Sequence, residues 1–154
     1  MSSAQTKEPT YYNSRFLHGV DEKRRVQIPA KWRPDKSGTE LTLVLWPQHQ
    51  AGICLRVLPP SQMAKMKADI DSLPRNLFKT PFFGLSFGSE SVQAPLDKAG
   101  RICLPEEMAR AAGIKDDAVL VGLLDRFEIW NPARYENVKT ADAVLASEAI
   151  KLME

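Results

Sequence analysis

Two aspartates and two arginines carry the most specific chemistry in this chain. Three residues separate Asp21 from Arg25, and three separate Asp97 from Arg101. An aspartate that opens a tight turn can accept hydrogen bonds from backbone N–H groups two or three residues on. The arginine then stands at the base of the strand leaving the turn, pointing away from the core. A guanidinium there suits bidentate contact with a phosphate, or with O6 and N7 of guanine. The first turn holds three consecutive cations, Lys23, Arg24 and Arg25. Over residues 15–33, Arg15, Lys23, Arg24, Arg25, Lys31 and Arg33 face only Asp21 and Glu22, a local charge of +4. Such a surface suits a polyanion, and two-stranded ribbons enter the DNA major groove. For Arg25, nucleic-acid contact is favoured over simple pairing with Asp21. Lys31 and Arg33 serve equally well as a solvated helix face. Around the second turn, Lys98, Arg101 and Arg110 are cancelled by Asp97, Glu106 and Glu107. There, phosphate contact by Arg101 and bracing of the turn by an Asp97–Arg101 pair stand level.

The elements that must position these residues form an internal repeat. Asp21, Arg25 and Pro29 match Asp97, Arg101 and Pro105 at an offset of 76. Val26, Ile28 and Trp32 track Ile102, Leu104 and Met108 in the same register. Further on, Leu55, Val57, Pro60 and Met63 match Phe127, Ile129, Pro132 and Tyr135 at an offset of 72, a loop near Gln48–Gly52 being four residues longer in the first copy. Each copy reads as an entering strand (16–20; 91–96), the charged turn, and a second strand. In that second strand Arg25 and Gln27, or Arg101 and Cys103, point outward, and Val26 and Ile28, or Ile102 and Leu104, inward. Proline then opens a short helix (30–33; 106–112), with Gly113 as its C-terminal cap in the second copy. A third strand (41–45; 118–123) and a fourth (53–58; 126–130) follow. The first copy ends in a helix over 60–73, with Met63, Met66, Ile70 and Leu73 on one side. The second ends in one that starts at Asn131 and Pro132 and runs to about Leu152. Residues 75–88 read as a short helix plus turn, and residues 1–13 as a loose tail.

Composition narrows the function classes. Residues 1–80 carry 13 Lys/Arg against 7 Asp/Glu, whereas residues 81–154 carry 8 against 12, so a basic half adjoins an acidic one. Cys54 and Cys103 lie in apolar stretches and read as small core residues, which fits a reducing compartment. The first 14 residues contain no apolar core of the signal-peptide type. The longest apolar or glycine run, Ala118–Leu124, is too short to span a bilayer. Gly84-Leu-Ser-Phe-Gly88 matches a nucleophile-elbow pattern, but both histidines, His18 and His49, precede Ser86, whereas that fold places its base after the serine. Two histidines and two scattered cysteines make no zinc or iron site, and no phosphate-cradling loop is present. Trp32, Trp46 and Trp130 fall in apolar patterns typical of a core. No catalytic residue, metal or cofactor is expected.

Three stretches carry a family resemblance: Gly19-Val-Asp-Glu-Lys-Arg-Arg-Val-Gln-Ile-Pro-Ala-Lys-Trp-Arg33, Leu96-Asp-Lys-Ala-Gly-Arg-Ile-Cys-Leu-Pro105 and Phe127-Glu-Ile-Trp-Asn-Pro-Ala-Arg-Tyr135. Together they resemble the MraZ family of bacterial regulators over about residues 14–137. The resemblance implies an α+β fold of two tandem SpoVT/AbrB-like units, interleaved β-hairpins with pseudo-two-fold symmetry, each followed by a helix. The implied organisation is a flexible tail (1–13), a first repeat (14–63), a helical connector packed on the core (64–90), a second repeat (91–137) and a C-terminal helix (138–154). It further implies a cytoplasmic, nucleoid-associated, ring-like homo-oligomer with no membrane contact. Such a protein binds direct repeats of double-stranded DNA in the promoter of the division and cell-wall gene cluster. Arg15, Lys23, Arg24, Arg25, Lys98 and Arg101 are the expected DNA-binding residues, with Asp21 and Asp97 organising the turns. The chain departs from the family at Arg24, where a glycine is usual. Glycine there supplies positive φ, so the change puts exact base preference in question more than DNA binding. The alternative is a homo-oligomeric scaffold or protein-interaction module that does not bind DNA.

Overall fold

Alternating apolar residues lay down the strands, and the strands of one repeat pair with those of the other. The computed structural model describes residues 11–34, 39–49, 52–72 and 90–153. The first copy supplies β1 (Arg15–Gly19), β2 (Arg25–Gln27), β3 (Glu40–His49) and β4 (Gly52–Leu58). The second supplies β5 (Ser91–Pro95), β6 (Arg101–Cys103), β7 (Asp117–Gly122) and β8 (Phe127–Trp130). Six of these form an antiparallel sheet in the order β1-β7-β8-β4-β3-β5, and β2 and β6 form a separate two-stranded ribbon. Each entering strand therefore pairs with the third strand of the opposite copy, β1 with β7 and β5 with β3.

A simple hairpin of β1 with β2, as the linear pattern suggests, is not what forms. Only an isolated Val20–Val26 bridge joins the two segments. The reason lies in what three-residue strands can bury. A lone short hairpin is marginal. Pairing β2 with β6 instead puts Val26, Ile28, Ile102 and Leu104 on one inner face, where none of the four is exposed at all. That face joins Leu41, Leu43, Leu55, Val57, Leu120, Phe127 and Ile129 of the large sheet in the main core.

Trp32 closes this core above the first copy. It packs 4.9 Å from Phe127 and 5.3 Å from Phe16, centroid to centroid, after the 3-10 turn Ala30–Trp32. Tyr12 joins the same group and is almost fully buried; its N–H donates to the Leu124 carbonyl at 2.7 Å. Tyr12, expected in the loose tail, is instead part of the main core.

Three helices pack on β3, β4 and β7 of the large sheet. Helix α1 (Pro60–Ser72) keeps Met63, Met66 and Ile70 half-buried, and it starts inside the expected first repeat. Helix α2 (Glu106–Ala112) stops at Gly113, whose φ of 69° is left-handed, as its place beyond the last turn suggested. Helix α3 (Pro132–Ala141) is capped by Asn131, whose Oδ1 accepts from the Arg134 N–H at 3.0 Å. The single helix expected over 138–154 is corrected to two elements. Asp142, a turn residue with ψ near −4°, separates α3 from α4 (Ala143–Met153), while hydrogen bonds from its N–H to Val138 and from Ala146 to its carbonyl run through the junction. The helix-plus-turn expected over 75–88, with Ser86, lies outside the described residues.

On the sheet face under α3, Cys54, Trp130 and Val138 form a second, smaller core with Trp46 and Tyr135. Arg56 lies there with its guanidinium 3.8 Å from the Trp46 ring centre and 2.8 Å from Glu128 Oε2. Burial, then the Glu128 charge, pushes the Cys54 thiol well above its ordinary range. Cys54 is thus the core residue expected. Cys103 is not: it stands on the outer face of β6 and is exposed, because it shares the outward positions of the alternation with Arg101.

Candidate nucleic-acid interface

The two charged turns are built bond for bond alike. In the first, Asp21 Oδ1 accepts the Lys23 N–H at 3.0 Å and the Arg25 N–H at 2.8 Å, and Asp21 Oδ2 accepts Arg25 Nε at 2.7 Å. In the second, Asp97 Oδ1 accepts the Ala99 N–H at 2.9 Å and the Arg101 N–H at 2.8 Å, and Oδ2 accepts Arg101 Nε at 3.0 Å. A backbone pair completes each turn, Arg24 N–H to the Asp21 carbonyl and Gly100 N–H to that of Asp97. The backbone N–H of Arg25, then the Arg25 side chain, holds the Asp21 carboxyl below the usual carboxylate range. Arg101 does the same to Asp97. Each carboxylate thus accepts two backbone N–H groups of its own turn and the guanidinium that follows it.

These bonds engage each guanidinium only through Nε. The side chains of Arg25 and Arg101 stay about one-third exposed, 33% and 34%. Neither guanidinium has a hydrogen bond at its terminal nitrogens to a described residue. Bracing and ligand contact are therefore compatible in the same side chain.

The ribbon sets both arginines on one outward face. Arg25 pairs with Cys103 and Gln27 with Arg101, so the two arginines sit on a diagonal with Cα atoms about 7–8 Å apart. Gln27 Nε2 donates to the Ala99 carbonyl at 2.7 Å, and at the equivalent place Cys103 Sγ donates to the Lys23 carbonyl at 3.4 Å. Each second strand thus ties down the turn of the opposite copy. Gln27 was not among the expected site residues. Its outward place in the alternation was the signal, since it falls between the two guanidinia.

The other expected residues divide. Lys23 and Lys98 are exposed on their turns, one beside each arginine. Arg24 is tied across the ribbon to the opposite strand. Its φ is +61°, it is half-buried, and its Nε donates to the Leu104 carbonyl at 2.9 Å. Arg15 is exposed at the far end of β1, four residues or roughly 13 Å from Gly19 and the turn. It lines a separate groove with Leu17, Tyr135 and Glu136. The structure therefore places Lys23 and Arg25 at one turn, Lys98 and Arg101 at the other, Arg15 at the far end of β1 and Arg24 on the Leu104 carbonyl. Lys31 is a solvated cation, whereas Arg33 donates through Nε to the Ile28 carbonyl at 2.8 Å. Among the described residues, no three His, Cys, Asp or Glu side chains gather as a metal site would need, and no helix is long and apolar enough to cross a membrane.

Known proteins similar to this chain carry one family name. A family model described as "MraZ protein, putative antitoxin-like" matches residues 87–151. A protein of Rickettsia rickettsii (strain Sheila Smith) named transcriptional regulator MraZ is 34% identical over 142 residues, covering 88% of this chain and 91% of its own length. A Rickettsia akari (strain Hartford) protein of the same name is 33% identical over 147 residues, with 90% and 94% covered. The similarity reaches Lactiplantibacillus plantarum, whose protein of that name is 31% identical over 128 residues, with 83% and 87% covered.

Proposed function

Because the chain belongs to the MraZ family, we propose that it is a transcription regulator that binds double-stranded DNA through the outward face of the β2–β6 ribbon. As a member of a family of named regulators it is not an enzyme. One observation carries the reading: the Arg25 guanidinium is fixed by its own turn through Nε, while its outer end faces solvent beside exposed Lys23. A side chain whose rotamer is already held loses little freedom on binding, which favours directional contact with a base or phosphate. Arg101, Lys98 and Gln27 extend the face. Its targets are direct repeats in the promoter of the division and cell-wall gene cluster, and its place is the cytoplasm, on the nucleoid. Residues 14–63 and 91–137 act as two AbrB-like units related by a pseudo-two-fold axis. In support, the strand order reads the same when the copies are exchanged, and both central ladders pair equivalent residues, Val26 with Ile102 and Arg56 with Glu128.

Several ribbons held in one ring would bind repeated sites together, so weak contacts add through high effective concentration. Self-assembly is supported by α4, where Leu145, Ile150, Leu152 and Met153 are all exposed. The same helix favours the second reading, a homo-oligomeric scaffold without DNA binding. A gel shift separates the two, using the DNA directly upstream of the gene against unrelated DNA at several salt concentrations. Regulation predicts preference for the upstream fragment, with log affinity falling linearly in log salt at a slope of about −0.9 per neutralised phosphate. A salt-insensitive or sequence-blind affinity would overturn the regulator, and no binding to either fragment would leave the scaffold. A mass measurement in solution reads the assembly.

A further inference from the structure

The unusual arginine in the first turn has a counterpart elsewhere in the chain. In a continued antiparallel ladder, the Arg24 N–H would donate to the Leu104 carbonyl and the Gly100 N–H to that of Ile28. Both N–H groups are instead spent inside their turns, on the carbonyls of Asp21 and Asp97. The reverse bonds survive, Leu104 N–H to Arg24 at 2.8 Å and Ile28 N–H to Gly100 at 2.9 Å. Each end of the ribbon is therefore left with one carbonyl lacking its ladder donor. Leu104 and Ile28 are fully buried, so water is no substitute.

A guanidinium fills each gap, but from different places. At one end Arg33 Nε donates to Ile28 at 2.8 Å, and its guanidinium lies over Gly100, where any Cβ would collide with it. At the other end Arg24 Nε donates to Leu104 at 2.9 Å. By the 76-residue offset Arg24 corresponds to Gly100, and Arg33 to Ala109. Each end thus holds one arginine and one small residue, with their positions exchanged.

We propose that Arg24 is a positioning residue rather than a DNA contact: it clamps the Leu104 carbonyl in place of an arginine at position 109, and so holds the strand that starts at Arg25. The left-handed φ of a non-glycine residue costs strain, which this bond offsets. The clamp stands on ribbon geometry alone, whereas its bearing on DNA rests on the function proposed above.

Hydrogen exchange of the Leu104 and Ile28 amides in the full chain tests it. Arg24→Gly should speed exchange at Leu104 by about tenfold or more relative to Ile28, as expected for losing a hydrogen bond to a charged group. Adding Ala109→Arg should restore it. Should the buried position 109 reject arginine and the protein not fold, the opposite end gives the same reading. Gly100→Arg alone should collide with Arg33 and lower the melting temperature, and Arg33→Ala added to it should recover the loss. Unchanged Leu104 exchange in Arg24→Gly overturns the proposal, as does failure of rescue in a folded double variant. On DNA, Arg24→Gly should weaken binding with its salt slope unchanged. A slope shallower by about 0.9 would make Arg24 a phosphate contact and sink the clamp. If no variant and no wild-type protein binds DNA while the exchange results hold, the function fails and the clamp stands.

Discussion

The first and second charged turns share one skeleton and differ in what covers it. Asp21 and Asp97 accept the same three bonds from the same relative positions, with lengths of 3.0, 2.8 and 2.7 Å against 2.9, 2.8 and 3.0 Å. Between them lie Glu22, Lys23 and Arg24 in one turn, and Lys98, Ala99 and Gly100 in the other. The Asp–Arg pair therefore belongs to the fold, and any functional difference must come from the residues it displays. Three consecutive cations suggested a denser charge at the first tip than the structure delivers. With Arg24 bonded to the Leu104 carbonyl, the rest of the first turn, Glu22 and Lys23, sums to zero, whereas Lys98 and Ala99 leave the second at +1. The first tip therefore holds no excess of outward charge over the second.

The sharpest break between the copies lies away from the turns, where equivalent residues Arg56 and Glu128 carry opposite charges and face each other in the β4–β8 ladder. Both are largely buried, and Trp130 Nε1 donates to the other Glu128 oxygen at 3.0 Å. Removing one partner strands a buried charge. Glu128→Ala should lower stability by about 3–5 kcal/mol, the largest effect expected here, read by denaturant unfolding. A joint replacement, Arg56→Met with Glu128→Leu, should recover most of that loss. A mild effect of Glu128→Ala would mean that the copies tolerate equivalence at their centre.

On DNA, the turns can be set against each other directly. Arg25→Ala should weaken promoter binding by about 5- to 150-fold, the range of a lost bidentate base contact at 1–3 kcal/mol. Arg101→Ala, in neutral surroundings, should cost less. Equal losses would show that the shared skeleton alone sets DNA contact. Lys23→Ala should act more weakly and on all sequences alike, with the salt slope shallower by about 0.9.

Much of this was legible in the sequence because it rests on local rules. The offset of the repeat, the outward place of Arg25 and Gln27, the Asn131 cap and the Gly113 stop all follow from period-two alternation or single-residue chemistry. Strand partners did not follow from the residues, since a strand's alternation says which face is buried but not which strand lies alongside. The interleaving came only with the family resemblance. Cys103 was misplaced because an apolar neighbourhood was weighed above its own outward parity. Tyr12 was missed because one buried aromatic in a polar stretch has no period. The Arg24 bond to the Leu104 carbonyl was not legible, because a count of charges does not say which carbonyl a turn leaves without a donor.

The smallest expected effect concerns acid, and it tests whether the two skeletons are equivalent in energy as well as in shape. Backbone N–H groups and the adjacent guanidinium hold the carboxyls of Asp21 and Asp97 below their ordinary value, which is about 3.9 in an unfolded chain. A carboxyl lowered on folding contributes stability above its unfolded pKa and loses it as pH falls through the folded one. These two groups should therefore leave stability flat between pH 7 and 5 and withdraw their contribution only below about pH 4. Thermal unfolding of wild type, Asp21→Asn and Asp97→Asn across that range reads each group in turn. The melting-temperature gap between wild type and either variant should stay constant to pH 5, then narrow by the same amount for both. A larger narrowing for Asp21→Asn would place an extra cation on that carboxylate, and Lys23 would then belong to the turn's own electrostatics rather than to its outward face.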